Sequence, residues 1–301
     1  MSFPMDSYCM QCYLRRNIDL VRPLGPETKT TAFAKEIMKL FLAAPEGVTA
    51  PWFTPHVSRL LHEMYGLSID RYHDEKIASN RFVTERLEEI RRRVEQAADP
   101  ILAGLQYAIL GNYLDFSALQ GDVSYEKLDR MLSEAAYIDV AGPYYDRFLS
   151  DLEKGKRLLY LTDNAGEIGM DRVFAEAIGR RYPNLEITFC VRGAVAANDA
   201  TREDAAAVGI PFRVIDNGNS VPGTVLELLG QEAKQAMEEA DVILAKGMGN
   251  TETMFGCGYN VYYAFLIKCP RVVHLFEKPM MTPMFIPDDY MKKEEVSNGP
   301  V

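Results

Sequence analysis

After Gly155 the apolar residues of this 301-residue chain stop recurring every three or four positions and gather into short runs. RLLYLT, LEITFCV, FRVI, DVILA and RVVHLF read as five strands, and DRVFAEAIGRRY, REDAAAV, TVLELLGQEAKQAMEEA and NVYYAFLI, lying among them, read as helices. That alternation constrains the fold severely, because parallel strands need covered crossovers and the helices must then lie on both faces of the sheet. The expectation is an α/β fold: a three-layer, α/β/α, Rossmann-like and largely parallel sheet over residues 153–301. Residues 1–152 keep the helical rhythm in ETKTTAFAKEIMKLFLAA, VSRLLHEMYG, DRYHDEKIASNRFVTERLEEIRRRVEQAA, ILAGLQYAILGNYLDF and SYEKLDRMLSEAA, with Pro and Gly between them. They are expected to form an N-terminal all-helical domain.

The composition, 48% apolar and 25% charged, suits a chain with a sizeable core. Thirty-three basic against 43 acidic side chains leave a net charge of -10, which argues against nucleic acid as a partner. The triplet Arg91-Arg92-Arg93 sits among Glu residues at helical spacing and reads as a solvated face. No apolar run approaches the length of a membrane span and no basic-then-apolar leader opens the chain, so no membrane partner is expected and the expected location is the cytoplasm. Five Cys, an odd number unevenly spread, point to thiols rather than a disulfide framework. Oligomeric state has no signature here.

Four of the expected strands are followed at once by small and polar residues: DNAGE, RGAVAANDAT, DNGNS and KGMGN. In an open parallel sheet such loops share one edge, where ligands bind outside the carboxyl ends of the strands. Asp163, Asn164 and Asp199 offer hard oxygens without thiolate or paired imidazole, a donor set suited to Mg²⁺ or Mn²⁺. Two carboxylates about 4 Å apart repel by roughly 4 kcal/mol at an effective dielectric near 20, and a divalent cation relieves that. Lys246 adds a point charge, and Gly247 and Gly249 allow backbone N–H groups close to an anion, so phosphate is the expected guest. Neither GxxxxGK[ST] nor GxGxxG is present. Each piece also has a plainer account: DNAGE and Asn198-Asp199 as helix caps, Asn217-Gly218 as a turn. The conjunction on one edge favours a site.

These motifs in order, DNAGE, the later ND, NG followed by PGT, and KGxGN, together with GNYLDF at 111–116, CMQC and DRYHDEKIASN, resemble the damage-control phosphatases, the domain-of-unknown-function-89 proteins, and in particular their prokaryotic branch. The resemblance spans roughly residues 5–276. It implies a metal-dependent phosphatase for small phosphorylated metabolites, sugar phosphates or damaged phospho-cofactor fragments, with one divalent cation (Mn, Mg, Co or Ni). The helical domain contributes to the pocket. By the same resemblance Asp163, Asn164 and Asp199 hold the metal, Asn112 and Asp115 face the pocket, and Lys246, Asn250 and Lys268 meet substrate, with Asn217 in the NG motif. Glu167 and Asp115 are candidates to handle a proton.

Two rival functions remain open at this point. A carboxyl methyltransferase using S-adenosylmethionine would suit a doubly wound sheet, although TDNAGE lacks a glycine-rich turn. A non-catalytic protein binding phosphorylated metabolites would use the same crevice. The pair Cys9 and Cys12 has no second CxxC and is read as packing, and none of the four His has metal-pair spacing. The tail from Glu277 is expected to pack as an arm or stay loose, with its last ten residues disordered.

Overall fold

The computed structural model describes residues 3–115 and 123–291. The last ten residues and Phe116 of GNYLDF lie outside them. The N-terminal half carries helices α1 (Ser7–Val21), α2 (Glu27–Ala43), α3 (Thr54–Tyr65), α4 (His73–Thr84), α5 (Leu87–Gln96), α6 (Pro100–Gly111), α7 (Tyr125–Ser133) and α8 (Pro143–Lys154). Then follow β1 (Arg157–Leu161), α9 (Glu167–Arg181), β2 (Glu186–Val191), α10 (Arg202–Ala207), β3 (Arg213–Asp216), α11 (Gln231–Glu239), β4 (Val242–Lys246), α12 (Gly247–Met254), β5 (Val261–Leu266), α13 (Pro270–Phe276) and β6 (Pro283–Pro287). Among the described residues the sheet has six strands in the order β3-β2-β1-β4-β5-β6, all parallel except β6. The α/β architecture is the expected one. Strand order reverses between β1 and β4, which opens the crevice where a doubly wound sheet binds ligands.

Alternate strand residues feed two cores. Leu158, Tyr160, Phe189, Leu244 and Tyr262 pack with α5, α6, α8 and α9 on one face. Leu159, Leu161, Ile243, Tyr263 and Phe265 pack with α11, α12 and α13 on the other. With apolar residues on both faces these strands read as continuous apolar runs. A smaller cluster of Val21, Phe33, Ile37, Val57 and Leu61 joins α1, α2 and α3. No helix among the described residues is long and apolar enough to cross a membrane.

Two expected elements exchange places. NVYYAFLI, expected as a helix, is β5, whereas RVVHLF, expected as a strand, is helix α13. Periodicity cannot separate a doubly buried strand from a buried helix, but Val, Tyr and Phe favour the pleated surface. Pro270 supplies the first position of α13, and Cys269 caps it by accepting from Val272 N. The tail beyond Glu277 is no loose arm as far as residue 291, because Met284–Ile286 are buried as β6 beside β5. TVLELLGQEAKQAMEEA is a 3-10 turn over Leu226–Leu228 and α-helical from Gln231, with Gly230 between. DRYHDEKIASNRFVTERLEEIRRRVEQAA divides into α4 and α5.

Candidate active site

The turn after β1 is shaped by a residue that only glycine can supply. Gly166 has φ +78°, and a Cβ there would lie 2.7 Å from Ser79 Cβ and 2.8 Å from Leu114 Cδ1. Helix α4 reaches into this turn with polar residues: Asn80 Oδ1 accepts from Gly166 N (2.7 Å), and Asn80 Nδ2 donates to Asp204 (2.8 Å). Lys76 forms a buried ion pair with the same Asp204 at 2.8 Å. Asp204 also closes a capping box with Thr201, so the segment after Asp199 is tied to the helical half.

The turn after β1 and the loop after β2 are then zipped together. Ala200 N donates to Asp163 O (2.7 Å), Ala165 N donates to Asn198 O (2.9 Å), and Asn164 and Asp199 form an antiparallel bridge. Two residues 36 positions apart in sequence, Asp163 and Asp199, are thereby set side by side, both buried. Gly247, at the start of α12, has φ +78°, and a Cβ there would fall on the Asp163 carboxylate. The carboxyl ends of β1 and β4 thus meet at the reversal of strand order.

Around Asp163 the donors are amides. Its Oδ2 accepts from Asn112 Nδ2 (2.8 Å) and Asn164 Nδ2 (2.9 Å). Asn164 Oδ1 accepts from Asn198 Nδ2 (2.7 Å), and Asn112 Oδ1 accepts from Leu266 N (3.1 Å), which hooks the end of α6 to β5. Burial, then the charges of Asp199 and Glu167, push the Asp163 carboxyl well above the usual carboxylate range. Burial raises Asp199 to about 6, although Arg192 pulls it down.

The remaining expected site residues divide into two groups. Lys268 reaches the pocket, donating to Asp115 (2.6 Å) and Asn112 O (2.7 Å), so Asn112, Asp115 and Lys268 stand together beside Asp163. Lys246 does not point there. Its ammonium gives its three protons to Ala108 O (2.8 Å), Glu167 (2.7 Å) and Asp171 (2.7 Å), fully buried between β4, α6 and α9. Glu167 in turn accepts from Asn112, Asn164 and Lys246. Asn217 Oδ1 accepts from Gly193 N and Asn219 N, clasping two loops. Asn250 holds Thr224, Thr162 O and Lys246 O. Cys9, on α1, packs against Arg271.

Sequence reasoning passed over Arg192, Asp171, Lys76 and Asn80. Asp171 carried a signal, since it lies four residues after Glu167 on one helix and so shares its face. Arg192 opens the quoted RGAVAANDAT segment, but nothing local distinguishes it from a surface arginine.

The donor chemistry fits a divalent cation. Five buried carboxylates, Asp115, Asp163, Glu167, Asp171 and Asp199, meet three buried cations, Lys246, Lys268 and Arg192. With every group ionised the cluster would hold two negative charges in excess, and burial opposes that state by raising Asp163, Asp171 and Asp199; the Lys76–Asp204 pair adds none. Asp163 and Asp199 with the second lone pair of Asn164 Oδ1 make an all-oxygen set for a hard ion. Among the described residues no three His, Cys, Asp or Glu side chains are grouped to hold a metal, and this set has two carboxylates and an amide.

Comparison with known proteins points to one family. A sequence model of the damage-control phosphatase ARMT1-like domain matches residues 5–282. The chain is 32% identical over 179 residues to a damage-control phosphatase of Pyrococcus horikoshii, an alignment spanning 58% of this chain and 61% of that relative. It is 30% identical over 281 residues to an uncharacterized protein of Methanocaldococcus jannaschii, spanning 88% and 89%. A damage-control phosphatase of Archaeoglobus fulgidus is 32% identical over 201 residues, 66% of this chain and 68% of that one. The crystal structure of a domain-of-unknown-function-89 protein from P. horikoshii shares the fold, with a TM-score of 0.78 at 24% identity, covering 95% of this chain and 99% of the other.

Proposed function

The chain belongs to the damage-control phosphatase ARMT1-like family, and from that premise we propose that it is a divalent-metal-dependent phosphomonoester hydrolase acting on small phosphorylated metabolites. The observation that carries this reading is the pair of zipped loops, which sets the buried carboxyls of Asp163 and Asp199 side by side, where each raises the cost of ionising the cluster.

In this reading Asp163, Asp199 and Asn164 Oδ1 hold the cation. When bound, the cation supplies charge stabilisation to a phosphoryl oxygen and activates a nucleophile. The chain's own groups do the rest. Lys268, which stands beside Asp163, offsets charge on the phosphoryl group. The first turn of α12, whose N–H groups have no partners within the helix, faces Asp163 across Gly247 and suits anionic oxygens. Asp115, held by Lys268 at 2.6 Å, is placed to exchange a proton at the leaving oxygen. Glu167 is saturated by donors and Lys246 by acceptors, so we assign both to positioning: they hold Asn112 and Asn164 in place beside Asp163.

The test is phosphate release over a panel of sugar phosphates and phosphorylated cofactor fragments with Mg²⁺, Mn²⁺, Co²⁺ and Ni²⁺ in parallel. Turnover that a chelator removes supports the proposal. Saturable binding without released phosphate under every metal would favour a binding protein instead. Stabilisation by S-adenosylmethionine, with none from Mn²⁺ plus phosphate, would favour methyl transfer.

A further inference from the structure

Arg192 follows β2 directly and is 1% exposed. Its Nε donates to Asp199 Oδ2 at 2.7 Å, and its Nη2 donates to Thr162 O at 3.1 Å and to Asn250 Oδ1 at 3.3 Å. A single planar group thus touches the end of β1, the loop after β2 and the first turn of α12. Nη1 is buried with no partner among the described residues. Asn250 is itself anchored, donating to Thr162 O (3.1 Å) and Lys246 O (2.7 Å) and accepting from Thr224 Oγ1 (2.8 Å).

We propose that Arg192 is a positioning residue that fixes the orientation of the Asp199 carboxylate for cation binding and couples it to the KGMGN turn through Asn250. This rests on the metal-dependent reading above. The guanidinium is a rigid fork: it cannot turn about its Nε edge without releasing Thr162 O, so its hold on Asp199 Oδ2 is directional. With Oδ2 engaged by Arg192, Oδ1 would be the oxygen available to a cation. Charge alone works the other way, because a fixed positive group beside a cation's carboxylate repels the cation. A guanidinium in this place weakens binding electrostatically and strengthens it geometrically, so the two accounts of Arg192 differ in sign.

The experiment is Mn²⁺ titration of the metal-free protein, read by the loss of the free-ion electron paramagnetic resonance signal, for the unaltered chain, Arg192→Met and Arg192→Lys. Circular dichroism melts of the same samples report folding. Positioning predicts affinity lower by about 10–100-fold in Arg192→Met, the range for losing a partner that orients a metal ligand. It predicts a loss in Arg192→Lys as well, since an ammonium keeps the charge but not the fork. Unchanged or tighter Mn²⁺ binding in a folded variant overturns the proposal, even if melting falls. Should Arg192→Met fail to fold, Arg192→Lys decides alone: affinity equal to that of the unaltered chain overturns the proposal. Absence of Mn²⁺ binding by the unaltered protein overturns the metal-dependent reading itself, and this inference with it.

Discussion

Asp163 and Glu167 lie four residues apart, share the amide donors Asn112 and Asn164, and are both buried, yet they belong to different kinds of region. Glu167 touches an ammonium, and with Lys246, Asp171 and the Tyr160 hydroxyl it forms a floor locked between the sheet and helices α6 and α9. Asp163 takes its hydrogen bonds from amides rather than from a cation, with Asp199 and Lys268 close by. Burial would lower the Lys246 ammonium, but Asp171 and Glu167 outweigh it and hold it above its usual value. The same burial leaves Asp163 with a displaced carboxyl. The floor carboxylates are hydrogen-bonded to an ammonium, whereas Asp163 is held by amides, and that difference separates scaffold from site.

The comparison breaks most visibly at the floor. Lys246→Met leaves Glu167 and Asp171 buried without their cation and should cost about 3–5 kcal/mol of stability, read as a lowered urea midpoint. An unchanged midpoint would mean the floor is not a structural ion cluster. Asp163→Asn should do the opposite to the metal-free protein, raising its melting temperature at pH 8 by removing a carboxylate whose charged form burial disfavours. It should also reduce phosphate release by more than about 100-fold, beyond the range for a partner that only orients a ligand. A variant with lower metal-free stability and retained turnover would show that mouth and floor had been assigned the wrong way round.

Gly247→Ala tests the boundary between the regions. The added methyl falls on the Asp163 carboxylate at a left-handed backbone position, so a loss of about 1–3 kcal/mol is expected together with a weaker melting response to Mn²⁺. The smallest effect is on pH. Asp199 titrates near 4 when unfolded and is pushed up to about 6 in the fold. Between those values the folded chain holds a proton that the unfolded chain has released, so this group's contribution to metal-free stability falls as pH rises through that window. A bound cation replaces the proton. Stabilisation by Mn²⁺ should therefore grow from pH 5 to pH 8, measured as the shift in melting temperature, and a shift that shrinks over that range would contradict the ligand assignment.

Much of the fold could be read from spacing. Strands β1 to β4 and their polar loops follow from short apolar runs and the small residues after them, and the convergence of those loops follows from parallel order. Strand β5 and helix α13 could not be told apart in that way, because a segment buried on both faces shows neither period. The site was legible unevenly. Asp163, Asn164 and Asp199 stand together, with Asn112, Asp115 and Lys268 beside them. A lysine beside glycines at a strand end suits an anion, but the Lys246 ammonium meets Ala108 O and two carboxylates of α9 instead. Asn217 and Asn250, expected at substrate, brace the loops.

From its residues alone the chain determined a parallel α/β sheet, the edge that carries its polar loops and the oxygen chemistry available there, because these follow from period, turn composition and donor type. Which buried carboxylate meets a cation from within the chain, and which is held by amides instead, was decided by tertiary packing. Lys246, Arg192, Lys76 and Asn80 come from segments far apart in sequence from many of the groups they touch, and their partners are set by where the sheet and helices place them. Charge pairing of that kind depends on distance in space, which the order of residues does not contain.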